Sequence, residues 1–274
     1  MTAPILYWKA QGLSAHGIFP GLAEFGFESF FHRAILLGAL LFLFPFLRWL
    51  GIRSLRDLGL QPNECWKRDG VIGFLLSAVP LLGCGGALVF FGVYASRPII
   101  DWPSIASIAL TAIVVPFLEE ALFRGLFLGV LLRGLRSTAA MLLSAAIFSI
   151  VHFLKAPDRT TEVVRWNSGF ISLAHSFGQF TEPTMLLASF TTLFLIGWIL
   201  ADSRMRTQSL WLPIGLHSGW IFTSVFFNKI AQRETLALPW LGKSLLIGIV
   251  PLGVGLLTWL LVIQWSKYAR SCDH

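Results

Sequence analysis

The chain has 274 residues, of which 55% are hydrophobic and only 13% are charged, and its mean hydropathy is +0.73. A soluble domain carries about 25% charged residues, so this composition excludes an ordinary soluble globular fold. The formal net charge of +7 does not indicate nucleic-acid binding, because the basic residues lie in short connections between apolar runs. There they act as topology signals and contact anionic lipid. We therefore expect an all-α, polytopic helical membrane protein whose partner is the lipid bilayer and not nucleic acid.

Apolar runs long enough to cross a bilayer recur along the chain. About 20 helical residues span a hydrocarbon core roughly 30 Å thick, and we predict about seven transmembrane spans. Residues 1–33 are aromatic and glycine-rich, and Glu24 and Glu28 disfavour a crossing there, so this segment is expected to form an interfacial helix. The predicted spans are 34–50, 71–94, 104–132, 138–154, 184–201, 208–228 and 244–265.

The spans divide a single membrane domain into three regions. They are an N-terminal interfacial segment with two spans (1–103), a four-helix core (104–228), and a final span with a tail (229–274). Lysine and arginine are about twice as dense in one alternate set of connections, which the positive-inside rule places in the cytoplasm. That set comprises 48–70, 133–138, 202–207 and 266–274. We expect a multi-pass protein of the bacterial inner membrane with its N-terminus outside and its C-terminus inside.

Ionisable residues inside the predicted spans are the strongest indication of function. Glu119 and Glu120 are adjacent within an apolar run, Arg124 follows one turn later, and two other spans contain His152 and His217. Groups at such depth are costly and normally face a protein interior or a water-filled cavity. With a rise of about 1.5 Å per residue, Glu119 and His152 lie ~21 Å from the cytoplasmic span ends and His217 ~15 Å. Three spans thus bring titratable groups to within one helical turn of the same depth.

This set of side chains suits hydrolysis. A carboxylate near a histidine can take a proton from water and return it to a leaving amine. Two adjacent carboxylates in a low dielectric repel each other unless a cation compensates, and Arg124 can supply it through an i,i+4 pair with Glu120. We expect Glu119 to be the base and Glu120 with Arg124 to be the orienting pair, although spacing alone does not decide which glutamate has which role.

Other interpretations of these residues stay open at this stage. A Glu–Arg pair within a span can be a structural ion pair, and a lone histidine can simply bond a neighbouring helix. One carboxylate and two histidines, here Glu119, His152 and His217, also form a familiar zinc ligand set. No HExxH motif is present, and the three ligands would come from three helices. We expect that no cofactor is required, with zinc as the alternative.

Three short motifs resemble those of the CPBP family, the CAAX protease and bacteriocin-processing group of intramembrane proteases. EEALFR (119–124) is similar to the EExxxR motif, FSIVH (148–152) is similar to FxxxH, and GLHSGW around His217 is similar to the third, histidine-bearing motif. The resemblance covers residues 104–228, with the motifs in the expected order on successive core spans. It implies a four-helix catalytic core and a glutamate-dependent endopeptidase, of a group often described as metalloproteases.

By motif position, the resemblance implies that Glu119 activates water together with His152, that Glu120 and Arg124 support it, and that His217 helps to stabilise the oxyanion. The third motif departs at one position. It commonly ends in Asn four residues after the histidine, where this chain has Ile221. Losing an oxyanion donor can cost about 10²–10³-fold in rate, so either Ser218 or a backbone N–H replaces it or the activity is slow or specialised.

The resulting hypothesis is an endopeptidase that hydrolyses peptide bonds of a membrane-associated protein or peptide. The estimated depth places the site near mid-membrane or slightly outward, which favours an exported or membrane-anchored substrate over a prenylated one. The alternative is a non-catalytic membrane scaffold or immunity protein that keeps the fold, and Ile221 favours it. A transporter with a proton-relay carboxylate would show paired broken helices in two related halves, which this sequence lacks.

Overall fold

The protein is almost entirely helical. The computed structural model describes residues 2–18, 26–49, 51, 58–60, 65–97, 102–153, 163–176, 183–235, 239–242 and 244–269. The helices are α1 (Thr2–Ala15), α2 (Phe27–Trp49), α3 (Trp66–Phe90), α4 (Trp102–Glu120), α5 (Leu128–Leu131), α6 (Ser137–Phe153), α7 (Ser168–Ser176), α8 (Pro183–Thr207), α9 (Trp211–Ile230) and α10 (Ile249–Ala269). A π-helical segment, Ala121–Phe127, joins α4 to α5, and two short strands are β1 (Tyr94–Ser96) and β2 (Ala231–Arg233). The all-α prediction is confirmed.

Four described helical stretches are long and apolar enough to cross a membrane. They are Trp66–Phe90, Ile105–Leu131, Leu186–Thr207 and Ile249–Tyr268. These stretches match four of the predicted spans and fit an integral membrane protein. Helix α6 is apolar but shorter, and α9 carries polar residues such as His217 and Asn228 that lower its hydropathy. The count of about seven spans stays a prediction.

Helix α8 is longer than the predicted span 184–201 because its polar end continues the helix. Arg206 Nε donates a hydrogen bond to Asp202 Oδ2 at 2.7 Å, an i,i+4 ion pair on that last turn. Such pairs stabilise helices, so the charged residues extend α8 to Thr207 rather than ending it.

The residues form two compact units, each with its own packing. The first comprises Met1–Arg53 and Ile150–Glu182, and the second comprises Ser54–Ser149 and Pro183–His274. In the first unit, the Tyr7 ring of α1 packs edge-to-face against Phe27 and Phe30 of α2, with ring centroids 6.0 and 5.6 Å apart. This contact fixes α1 against α2, so the predicted N-terminal helix exists; its position at a membrane interface stays a prediction.

Helix α9 is the centre of the second unit, and every residue from Leu212 to Trp220 is buried. It lies unusually close to α3. A Cβ added at Gly73 of α3 would lie 2.5 Å from the Leu212 carbonyl oxygen, and one at Gly219 of α9 would lie 2.5 Å from the Phe74 carbonyl oxygen. Small residues let membrane helices approach in this way. Because His217 lies between Gly215 and Gly219, this packing fixes the rotation and height of its side chain.

Helices α3 and α9 run parallel. The segments that precede the two helices are in contact, and so are the segments that follow them. At the carboxyl ends, β1 pairs antiparallel with β2, with Tyr94 opposite Arg233. At the amino end of α9, the Leu210 N–H donates to the Gly59 carbonyl at 3.1 Å. The Gly59 turn of the 48–70 connection and the 202–207 connection therefore share one end of the second unit, as the topology prediction requires. Which end faces the cytoplasm stays a prediction.

We predict that Gly73→Ala destabilises the protein, because its methyl group must push α9 away from α3. Overpacking of this kind costs about 1–3 kcal/mol, seen as a lower unfolding temperature of the purified protein in detergent. Gly83→Ala is the matched control, since a Cβ at Gly83 of the same helix meets no atom within 4 Å. Equal unfolding temperatures for the two variants would contradict the close α3–α9 contact.

Candidate active site

The two adjacent glutamates end α4, and the helix then changes its hydrogen-bonding pattern. Residues Ala121–Phe127 form a π-helix, which contains Arg124. Such segments are rare and occur frequently at functional sites. The apolar run accounts for the helical conformation of this stretch. Three side chains of the π-helix are buried in the protein interior, those of Phe123, Arg124 and Leu126.

Glu120 and Arg124 form a completely buried ion pair. Arg124 Nη1 donates to Glu120 Oε1 at 2.9 Å, and both side chains have 0% exposure. Arg124 Nη2 donates to the Gly197 carbonyl of α8 at 3.2 Å. This backbone contact requires close helix packing, since a Cβ at Gly197 would lie 3.0 Å from Ala145 Cα of α6. The arginine thus connects the glutamate to a second helix.

His217 of α9 joins the pair from a third helix. Its Nδ1 lies 2.8 Å from Glu120 Oε1, the oxygen that also accepts from Arg124. An ionised carboxylate only accepts hydrogen bonds, so Nδ1 carries the proton and donates it. The other ring nitrogen, Nε2, is therefore the one left for chemistry, and it lies 3.6 Å from Glu119 Oε2.

The two glutamates differ sharply in their surroundings. The Glu119 side chain is 28% exposed, whereas that of Glu120 has 0% exposure. The Glu119 side chain is therefore partly accessible and that of Glu120 is not, although the Glu119 Oε2 atom that faces His217 is itself buried. The distance of 3.6 Å between Glu119 and His217 exceeds a hydrogen bond, but catalytic contacts are often long before substrate binds.

Aromatic side chains pack against Arg124 and His217. The Arg124 guanidinium lies over the Phe148 ring of α6, 4.2 Å from its centroid. The same ring meets His217 edge-on at a centroid distance of 5.9 Å. A cation over an aromatic face is stabilised by about 2 kcal/mol when both are desolvated. Phe148 therefore supports both Arg124 and His217 without being titratable.

His152 lies in the last turn of α6, four residues after Phe148, and is half-buried. By its contacts this end of α6 belongs to the unit that contains α1, α2 and α7, whereas the other four predicted site residues belong to the second unit. The structure thus brings together Glu119, Glu120, Arg124 and His217. The role of His152 rests on its motif position.

The zinc alternative, with Glu119, His152 and His217 as its ligands, stays a prediction. Within the part of the chain that the structure describes, no three His, Cys, Asp or Glu side chains are grouped so that they could hold a metal ion. His217 instead directs one ring nitrogen to Glu120 and the other toward Glu119. The arrangement favours proton transfer between side chains.

Two residues near His217 concern the position at which the family motif commonly has Asn and this chain has Ile221. Ser218 is buried beside His217, and Ile221 is half-buried one turn further along α9. The supporting residues Gly197, Phe148 and Gly73 were not identified from sequence. Only Phe148 carried a signal, as the first position of the FxxxH-like motif.

Comparison with known proteins identifies this region independently of the geometry. A family model described as "Type II CAAX prenyl endopeptidase Rce1-like" matches residues 101–223. No curated protein and no solved structure matches the chain. The matched stretch begins where α4 begins, ends within α9 and contains all five predicted site residues. The match confirms the resemblance: residues 101–223 carry an Rce1-like region of the CPBP family of CAAX-protease-like endopeptidases.

Proposed function

We propose that this protein is an intramembrane endopeptidase of the bacterial inner membrane that hydrolyses a membrane-associated protein or peptide with water activated by Glu119 and histidine. One observation carries the proposal. The buried Glu120 carboxylate binds both Arg124 and His217, and the partly exposed Glu119 lies beside the second nitrogen of the same histidine. The family match supports the peptidase class.

The charges of the site favour one mobile proton. Arg124 carries one positive charge against the two carboxylates Glu119 and Glu120, which leaves one negative charge in a poorly solvated place. Because burying unbalanced charge is costly, a proton held by either Glu119 or His217 neutralises the set. The Glu119–His217 pair can accept a proton from water and later release it.

The proposed reaction starts with the mobile proton on His217, so that Glu119 is ionised. Glu119 takes a proton from water, whose oxygen attacks the scissile carbonyl carbon. His217 Nε2–H donates to the resulting oxyanion, while Glu120 stabilises the imidazolium through Nδ1. When the C–N bond breaks, the proton from water passes from Glu119 to the leaving amine. The products are a carboxylic acid and an amine, and the site is restored.

The remaining residues take supporting roles in the proposal. Arg124 fixes the Glu120 carboxylate and compensates its charge. The motif position of His152 gives it the role of assisting in the activation of water. Ile221 cannot donate to an oxyanion, so the hydroxyl of Ser218 or a backbone N–H supplies any second donor. The site needs no metal ion for these steps.

Ile221 is the observation that favours the second candidate, a non-catalytic scaffold or immunity protein. The buried polar network argues against it. Replacing a buried ion pair with well-packed apolar residues is often neutral or stabilising, so a purely structural helix contact has no need for Arg124, Glu120 and His217 together. The peptidase therefore remains the better-supported function.

We predict that Glu119→Gln abolishes proteolysis and leaves the protein folded, because the amide keeps the shape of the side chain but cannot accept the water proton. The measurement is product formation from membrane peptides by mass spectrometry, at equal protein abundance. Glu234→Gln, at an exposed glutamate after β2, is the matched control and should keep full activity. Normal product formation by the Glu119→Gln enzyme would contradict the mechanism.

We also predict that a strong chelator leaves the activity of the purified enzyme unchanged, because protein side chains supply every proton transfer. Substrate cleavage is compared before and after treatment and dialysis. Loss of activity that zinc restores and magnesium does not would instead give Glu119, His152 and His217 ligand roles.

A further inference from the structure

We propose that Arg204, at the polar end of α8, binds the phosphate of an anionic phospholipid headgroup. This site lies apart from the catalytic residues and does not depend on the proposed peptidase activity. The ligand chemistry is an anionic phosphate, and the lipid is its proposed source.

The first observation is that the Arg204 guanidinium is half-buried and has no protein partner for its Nε atom. Nε is inaccessible to solvent and makes no hydrogen bond to any residue that the structure describes. A buried, unmatched charge is costly, so a ligand that carries an anion would be stabilising here. Arginine presents a planar fork of N–H donors that matches phosphate oxygens.

The nearest candidate counter-ion on the same helix is already engaged. Asp202 is the one carboxylate in the sequence of α8. Its Oδ2 accepts from Arg206 Nε at 2.7 Å and from Trp259 Nε1 of α10 at 2.8 Å. The two arginines therefore differ: Arg206 is paired with Asp202, and Arg204 has no counter-ion among the residues that the structure describes.

The second observation is that the Arg204 guanidinium packs closely against Gly59, which fixes its position. Gly59 has a φ of +77°, and a Cβ there would lie only 2.7 Å from Arg204 Nη2 and 3.0 Å from Cζ. Any larger residue at position 59 would displace the guanidinium. The Gly59 carbonyl accepts from the Leu210 N–H at 3.1 Å, which anchors this turn against the start of α9.

The position of Arg204 along α8 places it at the depth of lipid headgroup phosphates. It follows Leu186, where the apolar stretch of α8 begins, by 18 residues, which at about 1.5 Å each is ~27 Å. The hydrocarbon core is about 30 Å thick, so the guanidinium reaches the far interface, where headgroup phosphates lie. The positive-inside rule assigns the 202–207 connection, which contains Arg204, to the cytoplasmic face, whose leaflet is rich in anionic lipid.

The test is a titration of the purified, full-length protein in mild detergent with phosphatidylglycerol, followed by the unfolding temperature and by native mass spectrometry of bound lipid. The wild-type protein should be stabilised and retain lipid. Arg204→Gln should weaken lipid binding about tenfold, as expected for the loss of one charge-assisted contact. Arg206→Gln is the matched control and should bind lipid as the wild type does.

Further measurements distinguish a lipid phosphate from a free phosphate, and a second variant is available if Arg204→Gln does not fold. Phosphatidylcholine and inorganic phosphate should give no Arg204-dependent stabilisation. A shift with inorganic phosphate that Arg204→Gln removes would reassign the site to a soluble phosphate and overturn the lipid. If Arg204→Gln does not fold, Arg204→Lys, which keeps the charge but not the fork, should still bind phosphatidylglycerol more weakly than the wild type. Equal binding by wild type and variant, or equal loss in Arg206→Gln, would overturn the proposal.

Discussion

The Glu120 carboxylate is the point on which the site depends, because it is fully buried and one of its oxygens accepts from both Arg124 and His217. Taking a carboxylate and a guanidinium out of water costs several kcal/mol per ion, and only good geometry with further hydrogen bonds offsets it. These contacts come from the π-helical segment and from α9. The carboxylate thus requires both elements to hold fixed positions.

The packing of the second unit provides that rigidity. Glycines at the α3–α9 contact bring the helix backbones close enough to fix His217, and Gly197 of α8 offers its carbonyl to Arg124. The Phe148 ring of α6 lies against the guanidinium, 4.2 Å from its centroid to Cζ. Groups held in this way need little reorganisation during a reaction, which is how a preorganised site lowers a barrier. Of the four residues that the structure brings together, Glu119 keeps the most exposure, as expected for a residue that meets substrate.

The sequence makes the ionisable members of the site conspicuous, because Glu119, Glu120 and His217 stand out in apolar runs. Spacing did not decide which glutamate is buried, since neighbouring residues point in different directions and the π-helix alters the register. Nor could it pair Gly73 with α9 or place the Phe148 ring, because both depend on contacts between distant segments. Element ends were predicted less well where polar residues continue a helix, as in α8.

The most direct test of the central claim is a double-mutant cycle on the buried pair, using Glu120→Gln, Arg124→Gln and the double variant. The free energy of unfolding is measured for each purified protein in detergent. Removing one partner of a buried pair costs about 3–5 kcal/mol, so each single variant should be strongly destabilised. The double variant should lose far less than the sum of the two, since neither charge is left uncompensated. Additive losses would contradict the account.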